Sequence, residues 1–202
     1  MGGLVAFEMA QQLHAQGQRV DLLALLDARM SPPDEKVADA DFEAMLLADF
    51  VRYFGLSLDL ANSLSQLPRD EVLTRVLELA QRAGLVPPDV EISQAHRFVG
   101  LLKSDFQASR SYELHLYPGR VTLFKASEEL AGTSPDPTLG WREWAHAGVE
   151  VHVVPGNHAN MVYMPHVAIL AEKLRDCLNH AQSADERLTP TLSTDPLIKA
   201  AQ

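Results

Sequence analysis

The chain has 202 residues, 47% hydrophobic and 22% charged, with a net charge of −10. That length suits one domain, and the acidic balance argues against a nucleic-acid surface, which needs clustered Lys and Arg. No apolar run approaches the roughly 20 residues of a membrane span, and the opening residues lack the charged-then-apolar order of a signal peptide.

Gly2 to about Gln16 reads as a helix, with Val5, Ala6, Met9, Ala10 and Leu13 on one face and Gly17 as its stop. Arg19 to Leu26 is a nearly unbroken apolar run, as in a parallel strand covered on both faces, and Asp27 ends it. Helix, turn, strand and acid make half of a βαβ unit whose first strand would precede Met1. Ser31-Pro32-Pro33-Asp34 breaks the pattern, and about ninety residues of helical sequence follow. Helices are expected over Asp41–Tyr53 and Pro68–Ala83, with a third capped by Ser93 and carrying Phe98, Val99, Leu102 and Phe106. A helical insertion between two strands is most simply a lid over a site. A purely structural subdomain is the plainer alternative.

Arg120 to Ala126 returns to strand pattern, Leu139 to Ala147 reads as a short helix, and Val149 to Val154 as a last strand. Pro155-Gly156-Asn157 then supplies strong turn chemistry, followed by His158. Pro165 opens an amphipathic helix with Val167, Leu170, Ala171, Leu174 and Leu178 at helical spacing. After His180 the periodicity fades into Ser, Thr, Pro and Lys, as in a mobile tail. His152, His158 and His166 are spaced too irregularly to argue for zinc. The single cysteine, Cys177, excludes an internal disulfide, suits a reducing cytoplasm and is expected to fill space in the last helix.

Two of these stretches carry chemistry. A histidine on a loop at the end of a buried strand can reach a pocket and titrate near neutral pH. Met1-Gly2-Gly3-Leu4 reads as the second half of a nucleophile elbow, Gly-x-Ser-x-Gly. Met1 would be the residue after the serine, and Gly2 the closing glycine. No serine of this chain sits in such an elbow.

Together with Pro155-Gly156-Asn157-His158 and Leu139-Gly140-Trp141, this opening resembles the thioesterase domain of nonribosomal-peptide and polyketide assembly lines. The resemblance runs from Met1 to about Leu178. It implies an α/β-hydrolase fold: a parallel sheet flanked by helices, with a helical lid over about 31–112. The domain would occupy 1–180, with its first strands missing, and 181–202 would be a flexible tail. The missing strand would pair beside Arg19–Leu26, leaving an open edge in this chain.

The same resemblance assigns Asp27 as the triad acid, His158 as the base and the Met1 backbone N–H to the oxyanion hole, with the nucleophilic serine immediately before Met1. Asp136 is the competing acid. The lid residues Phe42, Leu46, Phe50, Phe98 and Leu102 would line an acyl pocket. The substrate would be an acyl or peptidyl thioester on the phosphopantetheine arm of a carrier protein, released by hydrolysis or macrocyclisation in the cytoplasm. The enzyme itself would need no cofactor or metal and would touch neither nucleic acid nor membrane. Without its serine, the chain as written is expected to be inactive. Two alternatives stand beside this reading: a free-standing editing thioesterase, and a catalytically dead hydrolase that only binds a partner.

Overall fold

The computed structural model describes residues 2–30, 64, 67–82, 84, 86–128 and 136–188. Among them run α1 (Gly2–Ala15), β1 (Ala24–Leu26), α2 (Arg69–Arg82), α3 (Ile92–Ser111), β2 (Val121–Ala126), a 3₁₀ turn (Trp141–Glu143), β3 (Val149–Val154) and α4 (His166–Leu188). The strands form a parallel sheet in the order β1-β2-β3.

β2 lies in the middle, which explains its apolar sequence. Strand alternation sends Val121 and Leu123 into a core with Phe7, Leu25 and Trp141, and Phe124 and Ala126 into a second core with Val154, Met161 and Leu170. α1 covers the first face. The second is covered by α4 and by the loop that carries Met161.

Several boundaries differ from the sequence reading, each for a physical reason. β1 is three residues long rather than eight, because its partner β2 begins at Val121 and pairs Ala24 with Thr122. α1 buries Phe7 and Ala10, while Val5 and Met9 are 50% and 58% exposed. The helix is apolar nearly all round, and the sheet, not the helix, selects the inward face. The expected helix over Leu139–Ala147 shrinks to a single 3₁₀ turn. Trp144 O and His146 N–H are drawn instead into hydrogen bonds with Tyr117, at 2.8 Å each.

Glu91, not Ser93, is the N-cap of α3; its N–H donates to Gln94 Oε1 at 2.7 Å, while Ser93 lies inside the first turn. α4 continues to Leu188, so the first residues expected in the tail are helical. Of the expected lid, α2 and α3 pack on each other. α3 buries none of its residues, and its Phe98 is 61% exposed. The expected helix over Asp41–Tyr53, with Phe42, Leu46 and Phe50, lies outside the described residues.

Candidate active site

In a parallel sheet, side chains that follow the strands' carboxyl ends gather on one rim. Asp27 follows β1 there, and His158 sits on the loop after β3. The two are 131 residues apart in sequence, yet His158 Nδ1 lies 3.0 Å from Asp27 Oδ2. The aspartate side chain is mostly buried, at 17% exposure, and the imidazole is half exposed, at 51%. An acid held in the protein and a base open to a ligand is the division of labour acyl transfer needs.

Asp27 is held from two directions. Its N–H donates to Phe124 O at 2.7 Å, and its Oδ1 accepts the Ala126 N–H at 2.9 Å. Both partners are on β2, so the central strand fixes the carboxylate and turns Oδ2 toward the histidine. The residue has φ 45°, in the left-handed region that Asp tolerates better than most side chains.

His158 is presented by a loop that braces itself. Asn157 Oδ1 accepts the N–H groups of Ala159 and Asn160 at 3.0 Å each, and Asn160 Oδ1 accepts the Asn157 N–H at 2.7 Å. Gly156 has φ 92°, and a Cβ there would collide with Asn160 Oδ1. The buried Met161 then anchors the loop in the second core. With Asp27 accepting from Nδ1–H, the basic nitrogen of neutral His158 is Nε2.

The hydrogen bond that His158 donates to Asp27 raises the His158 pKa above its ordinary value, against an opposing effect of burial. Because the folded value is the higher one, the pair's contribution to stability is fully present below about pH 6.5 and is lost as pH rises through the folded pKa. The stability difference between wild type and Asp27→Ala should therefore be larger at about pH 6 than at about pH 9. Denaturant melts of both proteins at the two pH values measure it.

Asp136, the competing acid, has a different task. Its carboxylate accepts Thr138 N–H at 2.9 Å, Thr138 Oγ1–H at 2.8 Å and Gly140 N–H at 2.7 Å. Those bonds, the Thr138 N–H first among them, lower its pKa against a smaller opposing effect of burial. The residue closes a turn.

The start of α1 reaches the same rim. A Cβ on Gly3 would collide with the Cβ of Ala28, the residue after Asp27. The glycine singled out from sequence, Gly2, has nothing within 4 Å of such an atom. The elbow pattern points to Gly2 as the closing glycine, but the packing puts the close approach to the strand end at Gly3. Gly3→Ala should cost about 1–3 kcal/mol through overpacking, whereas Gly2→Ala should leave stability within about 0.5 kcal/mol; urea midpoints separate the two.

Cys177 fills space between α4 and β3 as expected. Its Sγ is 3.4 Å from His152 Nε2, and burial pushes the thiol pKa up. His152 stacks on Phe124 and lies 3.1 Å from Glu150.

A parallel sheet flanked by helices, with Asp27 and His158 past its strand ends, has the architecture of the α/β-hydrolase fold. Solved structures share the fold. One is a four-domain nonribosomal peptide synthetase, holo-AB3403, with TM-score 0.64 and 23% identity over 93% of this chain and 14% of that one. Another is the Vlm2 thioesterase domain bound with a dodecadepsipeptide, with TM-score 0.57 and 22% identity over 87% of this chain and 63% of that one. The thioesterase-domain family model matches residues 1–178, and the chain belongs to that family. Among curated relatives, chondramide synthase cmdD of Chondromyces crocatus is 24% identical over 206 residues, covering 96% of this chain and 5% of the synthase. The chain thus spans a small part of that relative's length.

Proposed function

We propose that this chain is the carboxyl-terminal part of a thioesterase domain that releases an acyl or peptidyl chain from the phosphopantetheine thioester of a carrier protein. The observation that carries the reading is the 3.0 Å pairing of His158 Nδ1 with Asp27 Oδ2 at the rim of the parallel sheet. The nucleophile would be a serine immediately before Met1, which the contact of Gly3 with Ala28 would set beside Asp27. Family membership and the likeness to a peptide synthetase and a synthase support the assembly-line setting.

In this mechanism the serine Oγ attacks the thioester carbonyl carbon and passes its proton to His158 Nε2. The carbonyl becomes an oxyanion, which the Met1 N–H helps to hold. On collapse the C–S bond breaks, and the pantetheine sulfur leaves with the proton from His158. Water, or a nucleophile within the bound chain, then attacks the acyl-serine. It gives its proton to His158, which returns one to the serine. Asp27 keeps Nδ1–H oriented throughout and stabilises the imidazolium. α2 and α3 would form part of a lid over the acyl chain.

The coding frame upstream of Met1 tests the reading. An apolar strand ending Gly-x-Ser directly before Met1 is expected; a stop codon, or no nucleophile at that position, would overturn it and leave the partner-binding alternative. A carrier domain further upstream separates assembly-line release from a free-standing editing enzyme. Because the base must be neutral to accept the serine proton, thioester cleavage should rise with pH through a midpoint above about 6.5. A pH–rate profile of kcat/KM on an acyl-pantetheine thioester reads that limb.

A further inference from the structure

We propose that Trp141 is a positioning residue for the Asp27–His158 pair, acting through the main chain of Ala28. The inference rests on the reading of that pair as acid and base. The Trp141 indole N–H donates to Ala28 O at 2.7 Å, across 113 residues of sequence. The indole is 1% exposed and lies against the Phe7 ring, with centroids 5.0 Å apart. It therefore has little freedom to move away from its acceptor.

The placement of that acceptor gives the bond its consequence. Asp27 holds a left-handed backbone, a conformation that costs an ordinary side chain about 1–2 kcal/mol and persists only where surroundings enforce it. On its amino side the turn is tied to β2, through Asp27 N–H to Phe124 O and Ala126 N–H to Oδ1. On its carboxyl side it is tied to the turn before β3, through Trp141 to Ala28 O and Met30 N–H to Leu139 O at 2.9 Å. Without the Trp141 bond, the Ala28–Arg29 peptide loses this tie, and the carboxyl side of the turn that carries Asp27 is held only through Met30 N–H, two residues beyond Ala28.

The turn that supplies Trp141 is itself unusual. Leu139 has φ 51° and Gly140 φ 87°, and a Cβ on Gly140 would press on Met30. Asp136 closes this turn through Thr138 and Gly140. The second acid in sequence thus braces the first, two links removed.

Trp141→Phe keeps an aromatic ring against Phe7 and removes the one N–H. The test is an NMR titration of His158 in the full chain, which needs no turnover. In the wild type the midpoint should lie above that of an ordinary histidine, and Asp27→Asn should bring it down. Trp141→Phe should lower it by at least about 0.5 pH unit, as a loosened carboxylate partner would. Trp144→Phe, in the same core, should lower the melting temperature without moving the midpoint. If Trp141→Phe does not fold, Asp136→Asn should move the midpoint in the same direction by a smaller amount.

A Trp141→Phe or Asp136→Asn protein that melts earlier, with its His158 midpoint unchanged, would make Trp141 a packing residue only. If the wild-type midpoint is ordinary and Asp27→Asn does not shift it, the acid–base reading fails instead. The two failures are therefore distinguishable.

Discussion

Exchanging Asp27 for Asn, in the domain complete with a serine before Met1, is expected to lower kcat for thioester cleavage by about 10⁴-fold with KM nearly unchanged. The structure explains why so small a change should cost so much. The Ala126 N–H can only donate, so it would keep the oxygen of the new amide where Oδ1 now lies. The amide NH₂ would then face His158 Nδ1. A donor there forces Nδ1 to accept and puts the imidazole proton on Nε2, the nitrogen that must take the serine proton. The fold would survive and the base would be lost. Asp136→Asn is the matched comparison: its carboxylate serves a turn, so kcat should fall far less. Steady-state kinetics on an acyl-pantetheine thioester measure both. Equal losses would mean that the two acids had been assigned the wrong tasks.

Phe7→Ala is expected to cost about 3–5 kcal/mol of folding free energy. Phe7 is fully buried, with its ring 5.0 Å from Trp141 and 5.7 Å from Tyr117, at the centre of the core between α1 and the sheet. A domain of ordinary stability holds about 5–15 kcal/mol in total, so this one change should take a large share. Met9→Ala, on the same helix but at a 58% exposed position, should change stability by less than about 1 kcal/mol. Urea denaturation of the two variants decides which face of α1 meets the sheet. A larger loss at Met9 would restore the face that helical periodicity alone suggests.

α1 carries Val5, Ala6, Phe7, Met9, Ala10 and Leu13, so more than one face qualifies as apolar, and the pattern cannot choose among them. Asp27 and His158 were legible because each follows a strand-like run, at a terminator and in a Pro-Gly-Asn turn respectively. Their pairing was implied by family resemblance; their separation was not readable. Asp136, in Ser-Pro-Asp-Pro, carried signals for both a turn and an acid. Only its bonds to Thr138 and Gly140 show which it serves. In sequence, Trp141 is part of a family motif, and nothing local shows that its N–H reaches Ala28.

The sequence by itself determined the order of elements, the parallel character of the buried strands, and the turn chemistry that carries the acid and the histidine. These depend on local patterns: periodicity, glycine and proline, and unbroken apolar runs. The tertiary structure decided where β1 begins, which face of α1 is buried, which glycine meets Ala28, and which aspartate meets the imidazole. Each of those depends on what lies across the sheet or a hundred residues along the chain. Hydrogen bonds and close packing act over a few ångströms of space, however far apart in sequence their partners lie.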